Sequence, residues 1–100
     1  MTVRVLLAED HLLVRAGIRA LLSAFSDMEV VGEVTSGIEA VEAVASLAPD
    51  VVLLDISMHG MNGLEAARRI ASGPSGGVGL IRPRARRSSV NAVFLIDAET

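Results

Sequence analysis

Two aliphatic runs, each stopped by acid, constrain this chain more than any other feature. Residues 3–8 read VRVLLA and are followed at once by Glu9 and Asp10. Residues 51–54 read VVLL and lead directly into Asp55. A strand with one wet face alternates apolar and polar residues. A near-continuous run of branched aliphatics suits a strand covered on both faces, as in a parallel sheet between layers of helix. The interior of such a strand has no place for Asp55, so the third strand must end there and present one carboxylate at a sheet edge.

Between these runs the period becomes helical. Over residues 12–25, Val14, Ile18, Leu21 and Phe25 fall on one stripe opposite Arg15, Arg19 and Ser23, which predicts an amphipathic helix. Residues 28–34 read as a second strand. Ser36 and Glu39 have capping-box spacing and open a helix over 38–47, with Val41, Val44 and Ala45 facing inward. Ala48, Pro49 and Asp50 end it. Asn62 and Glu65 repeat the start signal for a helix over 63–71. Strand and helix alternating three times predict an α/β fold, a flavodoxin-like doubly wound parallel sheet of strand order 2-1-3.

Residues 1–72 make up this (βα)3 portion. Beyond it, residues 72–89 read SGPSGGVGLIRPRARRSS, a Gly, Pro, Ser and Arg bias that favours loop or disorder over packed helix. Residues 73–100 are therefore expected to form a divergent, partly disordered tail, foreign to the fold in the way a shifted reading frame would make it. A fourth strand is expected from 78–81 or from AVFLI at 92–96, the latter beside residues 51–54. The fold is incomplete at its C-terminal side on this reading. The first helix then lacks its usual neighbour and an aliphatic edge is exposed, which predicts reduced stability and self-association, as aggregate or homodimer.

Composition narrows the chemistry. The chain has 100 residues, half of them apolar, which is enough for one small domain. It has no cysteine, which removes disulfides, thiolate metal sites and cysteine nucleophiles. No apolar stretch has the length of a membrane helix and the N-terminal run is too short for a signal peptide, so a cytoplasmic location without membrane partners is expected. Residues 1–72 carry five arginines against ten acids (−5) and residues 73–100 carry four against two (+2), which together give the net −3. All nine basic residues are arginine; there is no lysine.

In a doubly wound sheet the first and third strands are neighbours, and ligands bind beyond their carboxyl ends. Glu9, Asp10 and Asp55 therefore converge on one edge. Alone, a strand-end aspartate is as often a local turn cap as a reactive group. With two further acids at the matching tip, the site reading is preferred. Clustered like charges call for a counter-cation, and a hard divalent ion with oxygen ligands, Mg²⁺, is the simplest. A carboxylate beside such an ion is placed to attack a phosphoryl group and become an aspartyl phosphate.

The segments VRVLLAEDHLLVRAGIRALL, VVGEVTSGIEAVE and PDVVLLDISMHGMNGLEAARRI resemble the receiver domain of bacterial two-component response regulators, in the branch that precedes a LuxR-type helix-turn-helix (the LuxR/NarL type). The resemblance covers roughly residues 3–72. It implies Asp55 as phosphoacceptor, Glu9 and Asp10 with Asp55 as Mg²⁺ ligands, and the Ser57 backbone carbonyl as a further ligand. It also implies a histidine kinase as phosphoryl donor, and DNA contact only through a domain absent from this chain. The domain is not a turnover enzyme on this reading. The chain departs from the family where His59 replaces a proline. It also departs at the expected Ser or Thr after the fourth strand, which spacing puts near residue 83, and at a lysine after the fifth.

Those departures keep a rival open, a pseudo-receiver that serves as a protein-interaction module without switching. A Mg²⁺-dependent phosphohydrolase would want a second aspartate two residues after Asp55 as acid and base, and Ser57 stands there. The arginines at 82, 84, 86 and 87 lack aromatic partners, so a solvated tail is preferred to nucleic-acid binding. His11 is read as a first-turn helix residue rather than a ligand, His59 as an exposed loop residue, and Met58 and Met61 as turn packing.

Overall fold

A computed structural model describes residues 2–58, 60–72 and 90–97. The elements run β1 (Val3–Ala8), α1 (Leu12–Ser23), β2 (Met28–Val34), α2 (Gly37–Leu47), β3 (Val51–Asp55), α3 (Gly63–Ser72) and β4 (Ala92–Ile96). They form one four-stranded sheet in the order β2-β1-β3-β4, with every neighbouring pair parallel. The expected 2-1-3 order holds, and AVFLI supplies the fourth strand beside β3. The alternative strand at 78–81, the disorder expected over 73–89, the arginine cluster and His59 lie outside the described residues.

The aliphatic runs fill the middle of the sheet, as their composition requires. Leu6, Leu7 and Ala8 of β1 and Val52 and Leu54 of β3 have no exposed surface. Leu6, Ala8, Val52 and Leu54 pack with Ala40 of α2, Ala66 and Ile70 of α3, and Met58. The α2 stripe is shifted from the expected one: Ala40 takes the innermost position and Ala45 is exposed.

Local capping sets where the helices begin and end. The Ser36 side chain accepts from the Glu39 N–H at 3.1 Å, and Glu39 reaches back to accept from the Thr35 N–H at 2.9 Å, one residue beyond the usual capping-box partner. Asn62 Oδ1 accepts from the Glu65 N–H at 2.9 Å. At the other end of α2, Ala48 turns left-handed (φ 48°). The Arg4 guanidinium secures that turn by donating to the Leu47 and Ala48 carbonyls at 2.8 and 2.7 Å.

The two faces of the sheet differ. Helices α2 and α3 pack on one and on each other, while α1 lies against β1 and β2 on the other. The α1 stripe is only partly covered: Leu21 and Phe25 are 69% and 56% exposed and no α1 residue is buried. An apolar stripe needs a partner on both flanks, and α1 has strands beneath it but no second helix beside it among the described residues. An open apolar cleft of about 140 Å³ lies there, lined by Val5, Leu22, Met28, Leu53 and Phe94 among others.

Candidate functional site

Register brings the acids together. Ala8 pairs with Leu54, so the next residues, Glu9 and Asp55, leave the sheet side by side. Both tips are anchored: the Glu9 N–H donates to the Val34 carbonyl at 3.0 Å, and the Ile56 N–H donates to the Ile96 carbonyl at 2.8 Å. Glu9 and Asp55 are completely buried, and the Asp10 side chain is 13% exposed. One carboxylate oxygen from each of Glu9, Asp10 and Asp55 and one ring nitrogen of His11 all lie within 4.8 Å of one another. The three expected acids thus form one pocket.

His11 is the member that sequence reasoning set aside. It is the N-cap of α1, with no side-chain cap of its own. Its backbone N–H donates to Glu9 Oε2 at 2.9 Å. Its Nδ1 lies 2.8 Å from the same Oε2, 3.2 Å from Asp10 Oδ1 and 4.0 Å from Asp55 Oδ2. The signal available in sequence was its place directly after Glu9 and Asp10, at the junction where β1 turns into α1.

Asp55 is oriented from its own loop. The Ser57 N–H donates to Asp55 Oδ1 at 3.2 Å, with the Ser57 hydroxyl at 3.5 Å from the same oxygen. Gly63 at the start of α3 sits directly on this segment. Its N–H donates to the Ile56 carbonyl at 3.0 Å, and a Cβ there would collide with the Asp55 carbonyl and come within 2.8 Å of Ile56 Cα. The turn after β3 is therefore tied down by backbone contact that only glycine permits.

The donor set suits a hard divalent cation. Glu9 Oε1 and Asp55 Oδ2 are buried and accept no hydrogen bond among the described residues. Carboxylate oxygens withdrawn from water without a donor are costly, and a cation supplies the missing partner. At the far side of the site, β4 ends at Ile96 opposite Asp55, so Asp97 is the residue that follows the fourth strand. This corrects the spacing estimate of residue 83. The strand that pairs with β3 lies later in the chain than a short connection allows, and its tip carries a carboxylate where a hydroxyl was expected.

Comparison with known proteins agrees with this geometry. The family described as the response regulator receiver domain matches residues 5–98, well past the limit of the resemblance legible in the sequence. The transcriptional regulatory protein LiaR of Bacillus subtilis is 48% identical over 68 residues, covering 68% of this chain and 32% of that protein. The response regulator protein VraR of Staphylococcus aureus is 49% identical over 70 residues, covering 70% of this chain and 34% of that protein. The chain thus spans about a third of the length of these relatives. Among solved structures, the signal receiver domain of a NarL response regulator from Mycobacterium tuberculosis superposes with a TM-score of 0.77 at 33% identity, covering 99% of this chain and 68% of that one. Sheet order, the position of the acids and the family match over most of its length agree: this chain belongs to the response regulator receiver domain family of two-component systems.

Proposed function

We propose that the chain is a phosphoacceptor receiver, taking a phosphoryl group from a histidine kinase onto Asp55 with Mg²⁺ held at Glu9, Asp10, Asp55 and the Ser57 backbone carbonyl. The observation that carries this reading is the pair of buried, undonated oxygens, Glu9 Oε1 and Asp55 Oδ2, in a pocket of three carboxylates. The Ser57 N–H fixes the Asp55 carboxylate by holding Oδ1. In the transfer, the P–N bond of the phosphohistidine breaks as an O–P bond to Asp55 forms, and the departing imidazole takes a proton from solvent. Bound Mg²⁺ would neutralise charge on the transferring oxygens. The protein is modified once per cycle and is not a turnover enzyme. Transcriptional regulation, the role that the name of LiaR gives for that relative, would belong to a longer parent, with DNA bound through a domain outside this chain. Labelling from a phosphohistidine donor or acetyl phosphate, with and without Mg²⁺, tests the proposal. Label is expected on the wild type with Mg²⁺ only, and label that persists in Asp55→Asn would move the acceptor elsewhere.

A second reading, a pseudo-receiver that binds partners without switching, is favoured by Asp97 after β4. Asp97 puts a like charge on the side from which a phosphoryl group would be held. Beryllofluoride with Mg²⁺ separates the readings, since a pseudo-receiver gives no change in its backbone amide spectrum.

A further inference from the structure

We infer that His11 is a fourth ligand of the pocket, through Nδ1, and that it selectively raises the affinity of the site for borderline divalent metals such as Zn²⁺ or Ni²⁺. The inference rests on the proposed reading of the pocket as a cation site. Ligand atoms bonded to one metal at about 2.1 Å are separated by about 3.0–3.4 Å when adjacent and about 4.2 Å when opposite. The Nδ1 separations from Glu9 Oε2, Asp10 Oδ1 and Asp55 Oδ2 are 2.8, 3.2 and 4.0 Å, which are the edges and diagonal of such a coordination shell.

Two further features favour ligation over a passing hydrogen bond. The backbone N–H of His11 already donates to Glu9 Oε2, so that oxygen has a donor without the imidazole. The oxygens that do lack a donor, Glu9 Oε1 and Asp55 Oδ2, are buried on the same pocket. Of these, Asp55 Oδ2 lies 4.0 Å from Nδ1, a separation that one ion can bridge. The His11 side chain is 47% exposed, so small adjustments of the ring disturb no core packing. Imidazole nitrogen is a borderline donor that raises affinity for Zn²⁺ and Ni²⁺ far more than for Mg²⁺, which keeps to oxygen.

The test is binding, read without phosphoryl transfer. Calorimetric titration with Mg²⁺ and with Zn²⁺ is run on the wild type, His11→Ala and Asp55→Asn. His11→Ala should weaken Zn²⁺ by about ten-fold or more while Mg²⁺ stays within about three-fold. In a His59→Gln background, where His11 is the one remaining histidine, Zn²⁺ should shift the ¹⁵N resonance of Nδ1 and Mg²⁺ should not. Equal loss for both metals, or an unmoved Nδ1 resonance at saturating Zn²⁺, would overturn the assignment of His11. Absence of binding by either metal, or binding unchanged in Asp55→Asn, would overturn the cation pocket itself, a separate failure.

Discussion

Replacing Asp55 with asparagine should stabilise the cation-free protein, because the pocket crowds three carboxylates together. The ligand atoms of Glu9, Asp10, His11 and Asp55 lie within 4.8 Å of one another. At that separation, with an effective dielectric of about 20, each ionised carboxylate pair repels by about 3 kcal/mol. Asp55 faces two such partners. His11 offsets part of this when cationic, and the 13% exposure of Asp10 lets solvent screen some of the rest. A net gain of about 1–3 kcal/mol for Asp55→Asn in EDTA is therefore expected. Asparagine keeps the shape and an oxygen to accept the Ser57 N–H, so no packing or hydrogen-bond loss should mask the gain. In a domain of this size about 1 kcal/mol moves Tm by roughly 4–8 °C. Urea and thermal unfolding in EDTA measure the difference. Adding Mg²⁺ should reverse the order, since a ligand at about 1,000 times its Kd stabilises the wild type by about 4.1 kcal/mol. An Asn variant equal to or less stable than wild type in EDTA would refute the reasoning, because it would mean the three carboxylates do not repel as one cluster.

Other substitutions probe the supports of the site. Gly63→Ala, whose Cβ would strike the Asp55 carbonyl, should lose about 1–3 kcal/mol and weaken Mg²⁺ binding. Gly17→Ala, in α1 with nothing within 4 Å of the added carbon, should instead gain about 0.5–1 kcal/mol by urea unfolding. Arg4→Ala removes two hydrogen bonds to the end of α2 and should cost about 1–2 kcal/mol in the same assay. Phe94→Gln, at a side chain 54% exposed beside the apolar cleft, should reduce self-association in sedimentation velocity while changing stability by less than about 1 kcal/mol.

What the sequence determined by itself was everything carried by neighbours along the chain. The unbroken aliphatics of β1 and β3 demanded burial on both faces. Ser36–Glu39 and Asn62–Glu65 set helix starts through bonds spanning three residues, and the acids at the ends of the aliphatic runs marked the strand tips. The tertiary structure decided what those elements meet. Leu21 and Phe25 have the periodicity of buried residues, yet burial depends on a facing surface that periodicity does not specify. The fourth strand came from 92–96 because pairing with β3 selects it, and this put Asp97 at the tip. Gly63 looked like a helix start, and its close approach to Asp55 became visible only in the fold. The position of His11 among the carboxylates likewise depends on how β1 turns into α1 beside the end of β3. Hydrogen bonds and periodicity are local, whereas the distance between two strand tips depends on register across the sheet, and only the assembled sheet sets that register.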